Sequence, residues 1–336
     1  MNMNTKHIEN ELYKLRSVRA CIKSATDMMI SNPLTILRRT WLPTLVLSIV
    51  SGISILLPSL FESQQPTTTE ITTVSTPLMI LSAILLVAYI AVASWWGASV
   101  ISLLTGRKVK DNIRRMLYLL LAMIGLYVIL GICVSVGYML PMFGNKTSLG
   151  HPTIVSPLVA GFILVLALIF ILPIGYSAMK YLVEPQQKVM SIVGKPYITG
   201  LHRWGFLFLT TLLGGIIISI LIIITGIPEI ILETAKKSND IGMAMGDSNG
   251  LSASFTVLQF CVTILCYFIW YYIYCWMNFV YYYVYGSIEA KEMAKKDVIT
   301  TTTGNSADNH DIEAIDKHLK LEAGKASDSK LDIEDI

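Results

Sequence analysis

Apolar residues run without interruption by charge over six stretches of the chain: Leu42–Phe61, Pro77–Leu104, Met116–Phe143, Thr153–Met179, Trp204–Ile227 and Phe255–Tyr285. None of them contains Asp, Glu, Lys, Arg or His. A hydrocarbon core of about 30 Å is crossed by roughly 20 apolar residues in helical form, so each stretch predicts one transmembrane helix. Ahead of them, Ile8, Leu12, Leu15, Val18, Ile22, Ala25 and Met29 keep helical spacing, which predicts an amphipathic helix over Thr5–Ile30 ending at Asn32-Pro33. From Thr300 onward, Thr, Gly, Ser, Asn and Asp dominate, as in a disordered tail, with Ile312, Ile315 and Leu319 as one short amphipathic turn within it. The expected fold is therefore all-α and polytopic: a basic amphipathic segment at 1–40, a six-span domain at 41–290 and a mostly disordered tail at 291–336.

The order of basic clusters and prolines adds a threefold pattern. Arg38-Arg39-Thr40-Trp41, Arg114-Arg115-Met116-Leu117 and His202-Arg203-Trp204-Gly205 each open an outward span, and Leu57-Pro58, Leu140-Pro141 and Ile227-Pro228 lie at its far end. The returning spans carry Trp96-Gly97-Ala98-Ser99, Gly175-Tyr176-Ser177 and Asn278, so three hairpins with the even-numbered spans near a common axis are expected. Glu62–Thr76 and Glu233–Ser254 read as exposed outer linkers, and Pro173 as a kink in the fourth span.

Charge then sets the orientation. Of the 26 Lys and Arg residues, only Lys146, Lys236 and Lys237 fall in the odd-numbered loops. Positive charge concentrates on the cytoplasmic side, which puts both termini in the cytoplasm. Lys14, Arg16, Arg19, Lys23, Arg38 and Arg39 are the residues expected at the anionic membrane surface. The same bias explains the basic residues without nucleic acid.

The last span carries the most informative polar pattern. Tyr267, Tyr271, Tyr274, Asn278, Tyr281 and Tyr285 alternate steps of four and three, which lines them along one helix face over about 27 Å. An interfacial aromatic belt does not run that deep. Tyr267, Tyr271, Tyr274, Asn278 and Tyr281, with Gly97 and Gly175, are therefore the candidates for lining a ligand groove, the plainer reading of the stripe being hydrogen bonding between helices.

Most catalytic classes lack their residues. The span cores hold no ionisable group of the kind that marks proton relays. His7, His151, His202, His310 and His318 are scattered outside them, with no H-E-x-x-H or multi-histidine set, and no phosphate-binding glycine loop is present. Cys21, Cys133, Cys261, Cys266 and Cys275 lack metal or redox spacing. No catalytic residue, metal or cofactor is assigned. Lys180 and Glu184, four apart, read as an interfacial ion pair.

The basic N-terminal helix, the three hairpins and the Trp204-Gly205 entry together resemble a broad group of uncharacterised bacterial six-span membrane proteins. They are also similar, over Ser31–Lys291, to the membrane region attached to some glycerophosphodiester phosphodiesterases, although this chain carries no soluble phosphodiesterase domain. The resemblance implies an inner-membrane protein without an established reaction. Three readings follow: a non-enzymatic protein organising membrane lipids, or a protein partner through its cytoplasmic ends; a transporter or flippase-like carrier of an amphipathic molecule; and a lipid-modifying enzyme. A lateral cavity lined by the tyrosines favours the second, and convergence of Lys180, Glu184, His202 and Arg203 favours the third.

Overall fold

A computed structural model describes residues 12–62, 76–144, 155–246 and 250–303. Among them the fold is helical, with no strand. The helices are α1 (Val18–Ser31), α2 (Pro33–Glu62), α3 (Thr76–Thr105), α4 (Val109–Gly144), α5 (Val155–Val183), α6 (Lys195–His202), α7 (Trp204–Ala244) and α8 (Ala253–Thr303), with a 3-10 turn at Val189–Val193 before α6. Five of them, α2, α3, α4, α7 and α8, contain segments long and apolar enough to cross a membrane. Ile80, Ile84, Leu86, Val87 on α3 and Ile223, Ile224, Ile231 on α7 are all exposed, an arrangement that only hydrocarbon or another apolar partner satisfies. The chain is accordingly a membrane protein.

Three helix ends extend beyond the sequence expectation. Pro58, Pro141 and Pro228 were expected to close spans, yet α2, α4 and α7 run through all three. Beyond Pro228 the stretch expected as a linker remains helical to Ala244, because Glu-Thr-Ala-Lys-Lys is good helix sequence and Lys237 Nζ lies 2.7 Å from Glu233 Oε1 one turn back. A turn with Gly246 at φ +100° ends it. Conversely, α1 starts at Val18, and Tyr13–Ser17 is irregular where continuous helix was expected. Asn32 does break the chain between α1 and α2. Helix α8 runs on to Thr303, into the stretch expected as tail; the rest of that tail, residues 63–75 of the expected Glu62–Thr76 linker and the first eleven residues lie outside the described residues.

The chain divides into two compact units. One comprises Asn32–Leu120 and Gly215–Met277; the other comprises Met1–Ser31, Leu121–Gly214 and Asn278–Ile336. Helices α4, α7 and α8 contribute a segment to each.

In the first unit α2 and α3 pack along their length as a hairpin. The buried face of α2 is a ladder of small hydroxyls, Thr40, Thr44, Ser48 and Ser51. Each returns its hydrogen to a carbonyl four residues back, at 2.6–2.9 Å, so the donor is satisfied within the helix and the helix surface stays narrow, while the Thr40 and Ser51 oxygens also meet the Tyr272 and Tyr271 hydroxyls of α8. Small residues of this kind let membrane helices approach closely. Gly52 continues the face, with Ile264 of α8 only 3.3 Å from where a Cβ would stand.

In the second unit Pro173 organises the packing of α5. Its ring nitrogen has no hydrogen to give the carbonyl of Ile169, four residues back. The indole of Trp204 donates to that oxygen at 3.2 Å, and the Tyr197 hydroxyl donates to the Phe170 carbonyl at 2.9 Å. A backbone acceptor freed inside apolar surroundings is thereby satisfied, as it must be where water is absent. Gly200 of α6 lies against Pro173, whose carbonyl oxygen is 3.1 Å from the site of a Cβ.

Candidate functional site

The tyrosines of α8 fall into two environments. Tyr267 and Tyr271, in the first unit, line a groove of about 530 Å³ together with Ser51, Ser54 and Ile55 of α2 and Leu78, Ser82, Leu85, Leu86 and Tyr89 of α3. Tyr271 is held there by its hydroxyl, 2.6 Å from Ser51 Oγ, and by its ring, 5.7 Å from that of Trp96. Tyr267 is braced edge-on by Trp270 at 4.9 Å, and Trp270 is itself fixed by its indole donating to Thr225 Oγ1 at 3.0 Å. The groove therefore has rigid aromatic walls, a run of leucines opposite them, and phenols as its main polar groups.

The serine hydroxyls already donate elsewhere, Ser54 to the Val50 carbonyl at 2.8 Å and Ser82 to that of Met79 at 2.9 Å. None meets a histidine or carboxylate, so no nucleophile is activated. The lining holds no charged side chain. Its volume lies in the range of ordinary small-molecule sites, and its chemistry is that of binding an apolar body with a few hydrogen-bonding groups.

In the second unit the same helix face is closed. Tyr281 lies over Gly175, whose Cβ position would be 2.7 Å from its ring, and its hydroxyl is 2.8 Å from Thr211 Oγ1. Tyr285, fully buried, donates to Glu184 Oε1 at 2.9 Å, lies 3.3 Å from the Tyr13 hydroxyl and packs on the Tyr176 ring. Glu289, also buried, accepts from Lys180 at 2.6 Å and from the Tyr176 hydroxyl. Lys180 also lies 3.5 Å from Glu184, as expected of that pair, but its shorter contact is with Glu289. Arg203 pairs with Glu292 at 3.5 Å, while exposed His202 has its ring nitrogen 3.0 Å from its own helix, at Ile198. These groups are engaged with one another and leave His202 outside.

The residues before α1 are anchored to this end. The Arg16 amide donates to Ser287 Oγ at 3.0 Å, Ser287 Oγ donates to the Arg16 carbonyl at 3.1 Å, and the Arg16 guanidinium sits 4.9 Å from the centre of the Tyr283 ring. Gly286 permits the contact, since a Cβ there would stand 2.6 Å from Leu12 Cδ1. In α1 the Cys21 thiol is buried and its pKa is pushed up to about 12 by that burial, against the opposing pull of Arg16. It is an inert packing group at neutral pH.

The sequence candidates thus separate. Tyr267 and Tyr271 share the groove; Tyr281 and Gly175 pack on each other; Gly97 is covered by Met116 of α4, with its sulfur 3.0 Å from the Cβ position. Tyr274 is 45% exposed and Asn278 half-buried, and neither lines the groove. Of the surface candidates, Lys14, Arg19, Lys23, Arg38 and Arg39 are exposed, whereas Arg16 is partly covered at Tyr283. Sequence reading missed Tyr89, Ser51 and Ser54. Only Ser51 had a signal, in the Thr40, Thr44, Ser48, Ser51 spacing. Among the described residues no cluster of His, Cys, Asp and Glu could hold a metal ion. No known protein family, curated protein or solved structure matches this chain.

Proposed function

We propose that the protein is a six-span inner-membrane protein with both termini cytoplasmic, and that it binds an amphipathic lipid through the α2, α3 and α8 groove as a lipid-holding or carrier module. One observation carries the reading: a groove of about 530 Å³, walled by Tyr89, Tyr267 and Tyr271 and floored by leucines, opens among helices whose outer surfaces are themselves apolar. What such a groove meets in a membrane is an acyl chain. The phenols supply hydrogen bonds to the ester or headgroup region without charge, so the occupant can enter and leave laterally.

The sixth span in this topology is α5, which is 29 residues long, and the basic residues between spans set the orientation. A role in gathering a protein partner at the cytoplasmic ends is supported by the docking of Leu12–Ser17 on α8, which gives those ends a fixed surface. The lipid reading is tested by Ser82→Trp, which places an indole into the groove from an exposed position on α3. Native mass spectrometry of the detergent-purified protein then counts retained lipid. Loss of the retained lipid with an unchanged melting temperature supports the reading; unchanged retention contradicts it.

A further inference from the structure

A second groove in the same unit, of about 590 Å³, lies between α2, the end of α7 and the start of α8. Its floor is apolar, with Ile53, Leu56, Phe255 and Phe260 among the lining residues. Its rim differs from that of the tyrosine groove in carrying two opposite charges, Lys236 and Asp240, one helical turn apart on α7. Neither makes an ion pair among the described residues. The neighbouring Lys237, by contrast, is held by Glu233 and does not line the groove.

Depth fits a lipid headgroup. The lining takes in Leu57 of α2 and Phe255 of α8, which lie near the ends of their apolar stretches, so Lys236 and Asp240 stand where these two helices leave their apolar runs. Such ends mark the passage from hydrocarbon to the headgroup layer. We infer that this groove is a binding site for a phospholipid with a zwitterionic primary-amine headgroup, its phosphate on Lys236, its ammonium on Asp240 and one acyl chain on the floor. Both charges are needed for this match. An anionic headgroup uses Lys236 alone and faces repulsion from Asp240. A choline headgroup carries the positive charge but has no N–H to donate to the carboxylate, so it forfeits the charge-assisted hydrogen bond.

The test uses the full chain, carrying Ser82→Trp so that lipid in the tyrosine groove does not contribute. It is reconstituted into vesicles of equal parts ethanolamine, choline and glycerol phospholipids with matched acyl chains. After extraction, native mass spectrometry counts the lipids retained. Ethanolamine phospholipid is expected to exceed each of the others by about tenfold, the low end of what one charge-assisted hydrogen bond supplies. Asp240→Asn should lower the ethanolamine lipid to the choline level, and Lys236→Gln should lower all three. Lys237→Gln, which removes the same charge one residue away, should change nothing. Equal retention of the three lipids overturns the inference, as does an ethanolamine preference that survives Asp240→Asn. An effect of Lys237→Gln matching that of Lys236→Gln also overturns it, since general surface charge then accounts for the binding. Circular dichroism checks that these changes at exposed or half-exposed positions leave the helices in place.

Discussion

Tyr271 and Tyr281 belong to one helix and one periodic stripe, yet they do different work. Tyr271 stands at the wall of an open groove with its hydroxyl on Ser51. Tyr281 is pressed onto Gly175 with its hydroxyl on Thr211. Their own chemistry is the same, so the neighbours decide. Where a glycine lets the partner helix come close, the phenol becomes a structural bond. Where α2 and α3 instead present serines and leucines at a distance, space remains that a lipid chain can fill. The difference predicts that the closed end of the stripe carries stability and the grooved end carries binding.

The largest effect is expected at Glu289. Replacing it with Ala leaves Lys180 without its nearest counter-ion and Tyr176 without an acceptor in a buried setting, a loss of about 3 kcal/mol. Thermal unfolding of the purified protein checks this, and an unchanged melting temperature would remove the structural role assigned to that end. Next comes Gly175→Val, which drives a branched side chain into the Tyr281 ring and should cost about 2 kcal/mol, while lipid retention in surviving protein is unchanged. Gly286→Val acts similarly on Leu12. It should expose the first residues to added protease without altering the lipid count. Smallest is Tyr281→Phe, which deletes one interhelical hydrogen bond and should lower stability by about 0.6 kcal/mol. A shift of several kcal/mol there would show that the pair with Thr211 is part of a stronger network.

How far the sequence carried this account follows from what each signal encodes. The span cores were legible because long apolar runs admit few other structures. Their ends were not, because proline lacks a donor but does not forbid a helix whose freed carbonyl finds another partner, as Ile169 finds Trp204. The tyrosine stripe was legible as a face, since periodicity specifies which side chains share a side. What lies opposite that face is a property of other helices. The Thr40, Thr44, Ser48, Ser51 ladder was there to be read but sits inside an apolar run, where single hydroxyls satisfied by their own backbone barely disturb the pattern. The seating of Leu12 on Gly286 joins residues from opposite ends of the chain, and no local pattern announces it.

The central claim is that the grooved and closed parts of the stripe divide binding from stability. It is tested most directly by removing the two groove hydroxyls together, Tyr267→Phe and Tyr271→Phe, and measuring retained lipid and melting temperature on the same sample beside Tyr281→Phe. The double change is expected to lower lipid retention about fivefold, with a stability loss no greater than the single change at Tyr281. Undiminished lipid in the double variant, or lipid lost equally on changing Tyr281, would contradict it.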